Sequence, residues 1–532
     1  MENVKLLDCT LRDGGYVNDW EFGNNNLVSI FERLVDAGID IIEIGFLDER
    51  RLFDCNRSIM PDTDSVQEIY GYLDRRQTMI VGMIDYGTCG LEHIKPCEDS
   101  FLDGIRVIFK KNLKEQAMRF CAELKELGYK VFAQLVSVTS YGDDELLEFI
   151  QLANSVKPYA VSMVDTYGLM HQNNLMHYFA LLNDNLDLQI GLGYHGHNNF
   201  QMGYANCIAM LSNKIDRMLI VDGSIYGMGK SAGNAPTELI AMYMNLKMGK
   251  QYQISQILEA IDANILQFYQ SAAWGYNMFY YLAAFNDCHP NYVADLLNKR
   301  TLSITSINEL LGKLESDKKL LYDKVYLEQL YLEYQDKVVN DFEVAKKLQK
   351  IFAGKEILLI GPGVSIQNER EKIEKFIKVR NLVIISINYI PEYLKPNYVF
   401  LTNAKRYVQM ATKLSKEKYK IIATSNVTCT NGKFDYTLNI SPLLDLEAEI
   451  IDNSLVMLLK AMAYLGVKYV SLAGFDGYSE TGDNYLKANM EYDFVRKRVS
   501  YLNEYTINFL KKWSKKITVN FLTDSIYNRF KQ

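Results

Sequence analysis

Short apolar runs alternate with amphipathic segments along roughly the first 240 residues of the chain. Between the first two runs, Leu27, Phe31 and Leu34 fall on one face of a helix, and Gly38 is placed to end it. Eight strand–helix repeats predict an α/β fold, a (β/α)8 TIM barrel, with an open doubly wound sheet as the alternative. The eight strand-like runs, each bounded by polar or glycine-containing turns, are 4–10, 39–46, 78–85, 104–110, 130–138, 159–165, 189–195 and 217–223.

Two regions of different character follow the predicted barrel. Residues 250–348 are rich in Leu, Tyr and Lys and lack strand-like runs, which predicts a helical extension that packs on the barrel or against a second subunit. The α/β alternation then returns, with five strand-like apolar runs, "EILLIGPGVSI", "NLVIISINY", "YVFLTN", "KIIATSN" and "KYVSLAGFDGY". We therefore predict a barrel domain over 1–249, the helical extension over 250–348 and a second α/β domain over 349–532.

Polar side chains follow the predicted barrel strands at their carboxyl ends, where barrel enzymes carry out their chemistry. His195 and His197 are separated by one residue, so an extended strand points both imidazoles to the same side. Asp13 follows the first strand, which lies near the seventh and eighth strands when the barrel closes. Two histidines and one carboxylate suit a hard divalent cation, Mg2+ or Mn2+, and Zn2+ accepts the same ligands.

Composition and charge narrow the class of protein. The 532 residues are 48% hydrophobic and 23% charged, as expected for a globular protein with a large core. A net charge of −7 disfavours a nucleic acid or an anionic membrane as partner, and no apolar run is long enough to span a membrane. The chain starts without a signal-peptide pattern, and its eight cysteines form no CxxC pair, so we expect reduced thiols in the cytoplasm.

Four motifs occur in order along the predicted barrel: "LLDCTLRDGG", "IEIGF", "YHGHNN" and "DGSIYGMGKSAGNAPTE". Together they resemble the DRE-type metal-dependent TIM-barrel lyases and synthases, the family of HMG-CoA lyase. The loop "GMGKSAGNAPTE" is similar to the form found in 4-hydroxy-2-oxovalerate aldolase and lacks the cysteine of the lyase form. The resemblance extends over residues 4–300 and implies a metal site of Asp13, His195 and His197, with Asn234 as a further ligand or neighbour of the metal.

The resemblance also implies a reaction, the reversible cleavage of a 4-hydroxy-2-oxo acid to pyruvate and an aldehyde through a metal-bound enolate. Arg12 would face the oxygen of the 2-oxo group, as suits a permanently charged planar donor, and Glu43 would shape the pocket. We expect further substrate contacts from Ser137 and Thr139, at the end of the fifth strand. By analogy with an aldolase tyrosine, Tyr276 is another candidate, with packing in the helical layer as the alternative.

One position departs from the aldolase pattern. The family carries a histidine base three residues after the metal aspartate, and this chain has Tyr16 there. A phenol with an ordinary pKa of about 10 is a poor base at neutral pH, so either Tyr16 has a shifted pKa, a metal-bound water acts, or the reaction differs. Two alternatives stay open: a Claisen-type synthase condensing acetyl-CoA with a 2-oxo acid, and a polysaccharide-biosynthesis protein with a vestigial barrel.

The second α/β domain resembles Rossmann-like bacterial sialyltransferases and glycosyltransferase-associated proteins through "ILLIGPGVSI", "SINYIP" and "LTNAKRY". The resemblance implies a pocket for a nucleotide or nucleotide sugar. No histidine follows residue 289, so a histidine base for sugar transfer is absent and a binding module is an equal alternative. A homo-oligomer is a further expectation. The residues of the implied pocket are Gly361, Gly363, Ser365, Asn388 and Asn403.

Overall fold

A computed structural model describes the protein over residues 3–299, 302–319, 321–335, 339–417, 419–428, 432–487, 490–491 and 493–531. The chain divides into two compact units, Met1–Pro290 and Asn291–Gln532. The predicted division into three parts, with boundaries after residues 249 and 348, stays a prediction.

The first unit contains a closed barrel of parallel strands. Its strands are β1 (Val4–Asp8), β2 (Ile41–Leu47), β3 (Ile59–Met60), β4 (Met79–Asp85), β5 (Gly104–Phe109), β6 (Lys130–Leu135), β7 (Ala160–Asp165), β8 (Gly191–Gly196) and β9 (Leu219–Gly223). Strand β1 pairs with β9 on one side and with β2 on the other, which closes the sheet. The two-residue β3 pairs in parallel beside the end of β2, and the other eight strands confirm the predicted (β/α)8 barrel.

Helices connect most of these strands, and short turns replace a helix between β4 and β5. The helices are α1 (Thr10–Asp13), α2 (Gly15–Asn18), α3 (Asn24–Asp36), α4 (Thr63–Tyr70), α5 (Lys114–Glu126), α6 (Asp143–Val156), α7 (Gln172–Asn185), α8 (Gly203–Leu211), α9 (Thr237–Met248), α10 (Ile254–Ala260), α11 (Leu266–Ser271) and α12 (Met278–Phe285). In α3 the predicted face is the buried one, with Leu27, Phe31 and Leu34 inaccessible to solvent. Gly38 follows this helix with a φ of +77°, a backbone conformation that favours glycine.

The aromatic segment 272–285 ends the first unit. Trp274 is buried and donates from Nε1 to the carbonyl oxygen of Tyr226, in the loop after β9. In α12 the ring of Tyr281 lies 6.1 Å from that of Phe200, in the loop after β8. Both contacts attach the segment to loops at the carboxyl ends of barrel strands, whereas the packing of 250–348 as a whole, on the barrel or against a second subunit, stays a prediction.

The second unit contains one parallel sheet preceded by helices. Its strands are β10 (Glu356–Ile360), β11 (Leu382–Ile387), β12 (Tyr398–Leu401), β13 (Lys420–Thr424), β14 (Tyr436–Leu438), β15 (Tyr469–Ala473) and β16 (Thr518–Phe521). Their spatial order is β14-β13-β12-β11-β10-β15-β16, so the direction of winding reverses between β10 and β15. Ligands of such sheets bind at the carboxyl ends of the two strands beside the reversal.

Helices α13 to α16 precede this sheet, and the described part of 250–348 contains no strand, as predicted. The helices from the start of the unit are α13 (Pro290–Lys299), α14 (Ile304–Leu311), α15 (Lys324–Gln335), α16 (Phe342–Phe352), α17 (Ser365–Asn368), α18 (Arg370–Lys378), α19 (Ala404–Glu417), α20 (Ser454–Tyr464), α21 (Asp493–Lys497) and α22 (Val499–Trp513). The second α/β domain is confirmed, although the sequence pattern missed β14 and β16.

Two expectations from composition concern membranes and cysteines. Over the residues that the structure describes, no helix is both long and apolar enough to cross a bilayer. The cysteines in the same residues are free thiols, as predicted, and Cys429 lies outside them.

Candidate metal centre and active-site cavity

Asp13, His195 and His197 meet at the carboxyl ends of the barrel strands. A carboxylate oxygen of Asp13 and one nitrogen of each imidazole all lie within 4.8 Å of one another, and all three residues are buried. The two imidazole rings are perpendicular, with their centroids 5.1 Å apart. The structure therefore brings together the three ligands that the sequence predicted from positions almost two hundred residues apart.

Asp13 is held by the turn that follows β1. The chain passes from β1 directly into α1, and the carboxylate of Asp8 accepts the backbone N–H of Thr10 at 2.9 Å at the start of this turn. The Thr10 hydroxyl in turn accepts the N–H of Ile225 at 2.7 Å, which ties the turn to the loop after β9. Local turn chemistry thus fixes the backbone from which Asp13 projects.

Asn234 reaches the cluster because two loops pair with each other. The backbones of His197 and Asn234 form an isolated antiparallel bridge, and the N–H of Asn198 donates to the carbonyl of Gly233 at 2.7 Å. Asn234 then donates from Nδ2 to Asp13 at 2.7 Å. Gly229 lies so close that a Cβ there would collide with both Asp13 and Asn234, which explains why the loop needs a glycine at this position.

A chain of buried ion pairs connects two of the candidate metal ligands, Asp13 and His195. Arg12 contacts Asp13 at 2.5 Å and Glu43 at 2.8 Å, and Glu43 also contacts Arg106 at 3.0 Å. Arg106 continues the chain to Asp222, whose carboxylate lies 3.1 Å from Nδ1 of His195. Buried charges of this kind are stable only when paired, so each member holds its neighbour in place.

Arg106 and the role of Asp222 were missed by the sequence analysis. Arg106 stands in the middle of β5, in a run that reads as an apolar strand, and only 1% of the residue is exposed. A charged residue inside such a run is the one signal that could have indicated it, because an arginine in a barrel interior requires buried acidic partners. Asp222 lies at the end of the eighth strand-like run, but no sequence signal linked it to His195.

The two histidines differ in their surroundings. Burial lowers the pKa of His197 to about 3, with Asp13 opposing, so the ring is neutral at pH 7 and can act as a metal ligand. Nδ1 of His195 lies beside the carboxylate of Asp222. In the tautomer protonated at Nδ1, this nitrogen donates to Asp222 and Nε2 is available to bind a metal. Burial alone would raise the pKa of Asp222, but Arg106 and His195 outweigh it and lower this pKa.

The donor set fits a divalent cation. Burial would also raise the pKa of Asp13, but Arg12, the histidines and Asn234 hold it well below its usual range, so the carboxylate is ionised. Nδ1 of His197 and Oδ1 of Asn234 are buried atoms without a hydrogen-bond partner among the described residues. Unsatisfied polar atoms are costly inside a protein, and a bound cation would satisfy both.

A cavity of about 70 Å3 opens beside the cluster. Arg12 and Lys230 contribute cationic side chains to its wall, and Tyr16 stands at its mouth with 41% of the residue exposed. The ring of Tyr16 packs edge-on against Trp20 and Phe46. The lining residues in full are Arg12, Asp13, Tyr16, Met83, Ile108, Gln134, Val136, Val164, Thr166, His195, His197 and Lys230.

Tyr16 has its pKa shifted in the direction opposite to that needed by a base. Desolvation raises the pKa of the phenol to about 12, although Arg12 opposes the shift. The hydroxyl is therefore protonated at neutral pH and is a hydrogen-bond donor rather than a proton acceptor. Of the options left open by the sequence, a phenolate at position 16 receives no support from this electrostatic environment.

Four other predicted residues lie away from the lining of this cavity. Glu43 is fully buried and contacts Arg12 and Arg106, so it positions arginines rather than facing a ligand. Ser137 donates its backbone N–H to Thr166 at 2.8 Å, and neither Ser137 nor Thr139 is among the described lining residues. Tyr276 is 57% exposed and is likewise outside the lining.

A second cavity, of about 170 Å3, lies in the other unit where the sheet reverses its direction of winding. Its lining includes the predicted residues Gly363, Asn388 and Asn403, together with the buried Arg406. Asn388 adopts a φ of +49°, unusual for a residue other than glycine, and donates to Thr402 and Ser454 at 2.9 Å each. Such strained residues cluster at functional sites.

The glycine turn after β10 is already occupied by a carboxylate. Asp476, which follows β15, accepts the backbone N–H of Ser365 at 2.8 Å and also its hydroxyl. A Cβ at Gly363 would collide with the Asp476 carboxyl group, and Gly361 packs against the backbone of Gly474. The position where a phosphate would meet this turn is therefore filled, and Gly361 and Ser365 are absent from the described lining.

A candidate Asp–His–His metal cluster at the rim of a closed parallel barrel is typical of TIM-barrel enzymes that work around a divalent cation. Residues 3–263 match the model of the HMGL-like family. This part, just under half of the chain, is therefore similar to that family, and together with the aldolase relatives below the likeness supports a carbon–carbon lyase.

Two curated relatives are aldolases of this kind. The chain is 26% identical over 249 residues to the 4-hydroxy-2-oxovalerate aldolase of Marinomonas sp. (strain MWYL1). The aligned region covers 46% of this chain and 71% of the relative. The chain is 26% identical over 265 residues to the protein of the same name from Chloroflexus aurantiacus, covering 49% and 75%. The predicted family resemblance is confirmed.

Among solved structures, the hydroxymethylglutaryl-CoA lyase from Pseudomonas aeruginosa resembles this chain at 15% identity and a TM-score of 0.41, over 51% of this chain and 97% of that chain. The Rossmann-like resemblance of the second unit stays a prediction.

Proposed function

We propose that the protein is a divalent-metal-dependent aldolase that reversibly cleaves a 4-hydroxy-2-oxo acid to pyruvate and an aldehyde. The observation that carries this proposal is the position of Arg12 beside the Asp13–His195–His197 cluster on the wall of one cavity. A ligand set for a cation and a fixed guanidinium are what a developing enolate oxygen requires. The curated aldolases of similar sequence support the same reaction class.

Asp13, His195 and His197 would hold Mn2+, Mg2+ or Zn2+, with Asn234 as a further ligand or as the donor that orients Asp13. When bound, the cation supplies a Lewis acid for the 2-oxo group. Arg12 would stabilise the negative charge that develops on the 2-oxo oxygen as the C3–C4 bond breaks. Because Asp13 and Glu43 both hold the guanidinium, this donor needs no rearrangement during the reaction.

Tyr16 replaces the histidine that other aldolases of the family use as a base. Its protonated phenol can hydrogen-bond the 4-hydroxyl group but is unsuited to removing that proton at neutral pH. We therefore place Tyr16 at the 4-hydroxyl end of the substrate as a positioning residue, and this replacement bears on the choice of aldehyde more than on enolate formation.

Exchange of the C3 protons of pyruvate for deuterium, followed by NMR, tests the proposal without knowledge of the aldehyde. The metal-loaded protein should accelerate exchange, and chelation should abolish it until Mn2+ or Mg2+ is restored. A chain that binds no divalent cation and exchanges no protons would contradict the proposal and support the vestigial barrel. Release of free thiol from acetyl-CoA with a 2-oxo acid would instead support the Claisen-type synthase.

We also propose that the second cavity binds a nucleotide or nucleotide sugar. Its location beside the winding reversal, and its wall of amide side chains, aromatic rings and the cationic Arg406, support a ligand with a planar ring, hydroxyl groups and a negative charge. Asp476 fills the glycine turn, so we place the negative charge near Arg406 rather than at that turn.

Thermal unfolding of the full chain with matched nucleosides and nucleotides tests this second proposal. Nucleotides should raise the melting temperature, and Arg406→Gln should reduce the shift for nucleotides more than for nucleosides. The barrel variant Asp13→Asn is the matched control and should retain the shift. If no nucleoside and no nucleotide changed the melting temperature of the unaltered chain, the proposed nucleotide site would be contradicted.

A further inference from the structure

Lys230 is a cation in the active-site cavity that the mechanism above does not use. It follows Gly229 in the loop after β9 and lines the cavity together with Arg12 and Tyr16. Its backbone N–H donates to Asp13 at 3.1 Å, which fixes the start of the side chain at the metal cluster. Its ammonium group lies 5.2 Å from the centroid of the Tyr16 ring.

The ammonium of Lys230 has no hydrogen bond or ion pair with any described residue. Arg12 and Asp13, which also carry charge in the described lining, are paired with each other at 2.5 Å. Asp13 and the exposed Asp85, at the end of β4, are the carboxylates that act on Lys230, and both do so from beyond ion-pair distance. A half-buried ammonium facing a cavity without a counter-ion is costly, and an anionic ligand group would remove that cost.

The location of Lys230 indicates which part of the substrate carries this anion. Tyr16 is placed above at the 4-hydroxyl end, and the ammonium stands over its ring. The opposite, pyruvate-forming end already has Arg12 and the cation ligands. Lys230 therefore faces the half of the substrate that becomes the aldehyde.

We infer that the aldehyde product carries an anionic group, a carboxylate in the simplest case, which Lys230 recognises. The inference rests on the aldolase function proposed above and specifies its substrate class. In the cleavage the C3–C4 electron pair stays on C3, the 4-hydroxyl loses its proton to give the aldehyde carbonyl, and C3 then takes up a proton to give pyruvate. The anionic group takes no part in this balance and only binds.

Two pairs of aldehydes test the inference in the condensation direction with pyruvate. Glyoxylate and acetaldehyde differ chiefly by a carboxylate in place of a methyl group, and succinate semialdehyde and butanal extend the comparison to a longer reach. The wild type should prefer the charged member of at least one pair. Lys230→Met should lower the ratio of kcat/KM for charged over neutral aldehyde by about 10–100-fold, the worth of one charge-assisted hydrogen bond.

A ratio is the appropriate readout because any loss common to both aldehydes, such as weaker pyruvate activation, cancels in it. Lys230→Arg keeps the charge and should restore part of the preference. Lys214→Met, an exposed lysine in the loop between α8 and β9, makes the same change in net charge as the matched control. Its ratio should equal that of the wild type.

A binding measurement gives a second readout that is independent of turnover. The unreactive acids 2-oxoglutarate and 2-oxopentanoate share the 2-oxo acid head and differ in a distal carboxylate. Calorimetry should find the Kd ratio between them reduced by Lys230→Met by a factor similar to the kinetic one.

Three results would overturn the inference. Equal losses for charged and neutral partners would assign Lys230 to the carboxylate of pyruvate instead. Pyruvate proton exchange in a wild type with no preference for a charged aldehyde would refute this inference alone. A wild type that shows no exchange would refute the proposed aldolase function and this inference with it.

Discussion

The two units of the protein each place a glycine-containing loop after a parallel strand, but the loops serve different purposes. In the barrel, Gly229 leaves room for Asp13 and Asn234, and Oδ1 of Asn234 has no hydrogen-bond partner among the described residues, so it is available to a cation. In the second unit, Gly363 leaves room for Asp476, whose carboxylate satisfies the N–H and hydroxyl of Ser365. A glycine motif therefore predicts that another side chain approaches the loop closely. Whether a ligand-binding site results depends on which side chain that is.

The largest effect should come from substitution of Asp13, a candidate metal ligand in the barrel. Asp13→Asn removes the charge that offsets the cation and should reduce pyruvate proton exchange by about 10³-fold or more, with loss of bound metal. Metal analysis and NMR exchange measure both effects, and circular dichroism checks the fold. Retained metal and exchange would remove Asp13 from the proposed metal site.

Arg12 should come next. Arg12→Ala should reduce turnover by about 10²–10³-fold, because a fixed donor to the developing oxyanion is lost, and Arg12→Lys should recover little of it. Metal content of both variants is the control, since their cation ligands are intact. Turnover near the wild-type value in either variant would remove Arg12 from the mechanism.

Substitution of Asp222, whose carboxylate lies beside Nδ1 of His195, should have a smaller effect. Asp222→Asn keeps the size of the side chain but weakens its hold on Nδ1 of His195 and on Arg106. We expect metal affinity to fall by about 10–100-fold, as for other carboxylates that orient a ligating histidine. Competition with a chelator measures the change. An unaltered affinity would mean that His195 is oriented by its backbone alone.

The two glycines provide the direct comparison. Gly229→Ala should displace Asp13 or Asn234 and weaken metal binding by roughly 10-fold, whereas Gly363→Ala should leave metal binding and exchange intact because its Cβ meets Asp476. Titration of Mn2+ into both variants tests the pair. Similar metal affinities in the two variants would break the contrast between the loops.

The smallest effect concerns pH. The pKa of His197 is lowered to about 3, below the unfolded value of about 6.5, so the unfolded chain binds the extra proton first. The metal-free protein should lose stability as pH falls from about 6.5 toward 3. His197→Gln should reduce this slope by about 1.4 kcal/mol per pH unit, measured by denaturant unfolding. Parallel slopes for wild type and variant would contradict the buried neutral imidazole.

The fold was predictable to a large extent because its signal is local. Strand-length apolar runs and the helical face at Leu27, Phe31 and Leu34 correspond to elements of the barrel. The strands that were missed, β14 and β16, are three and four residues long and stand beside polar segments, so their apolar runs are too short to distinguish from loops.

The sequence by itself determined the barrel and the three metal-ligand candidates, because alternation along a strand and the closure of eight strands follow from periodicity and chain order. The tertiary structure alone decided that Arg106 links Glu43 to Asp222 and that the ammonium of Lys230 lies at the cavity with no hydrogen-bond or ion-pair partner among the described residues. These properties depend on distances between residues far apart in the chain and on how much water reaches them. Neither quantity is encoded in spacing along the sequence.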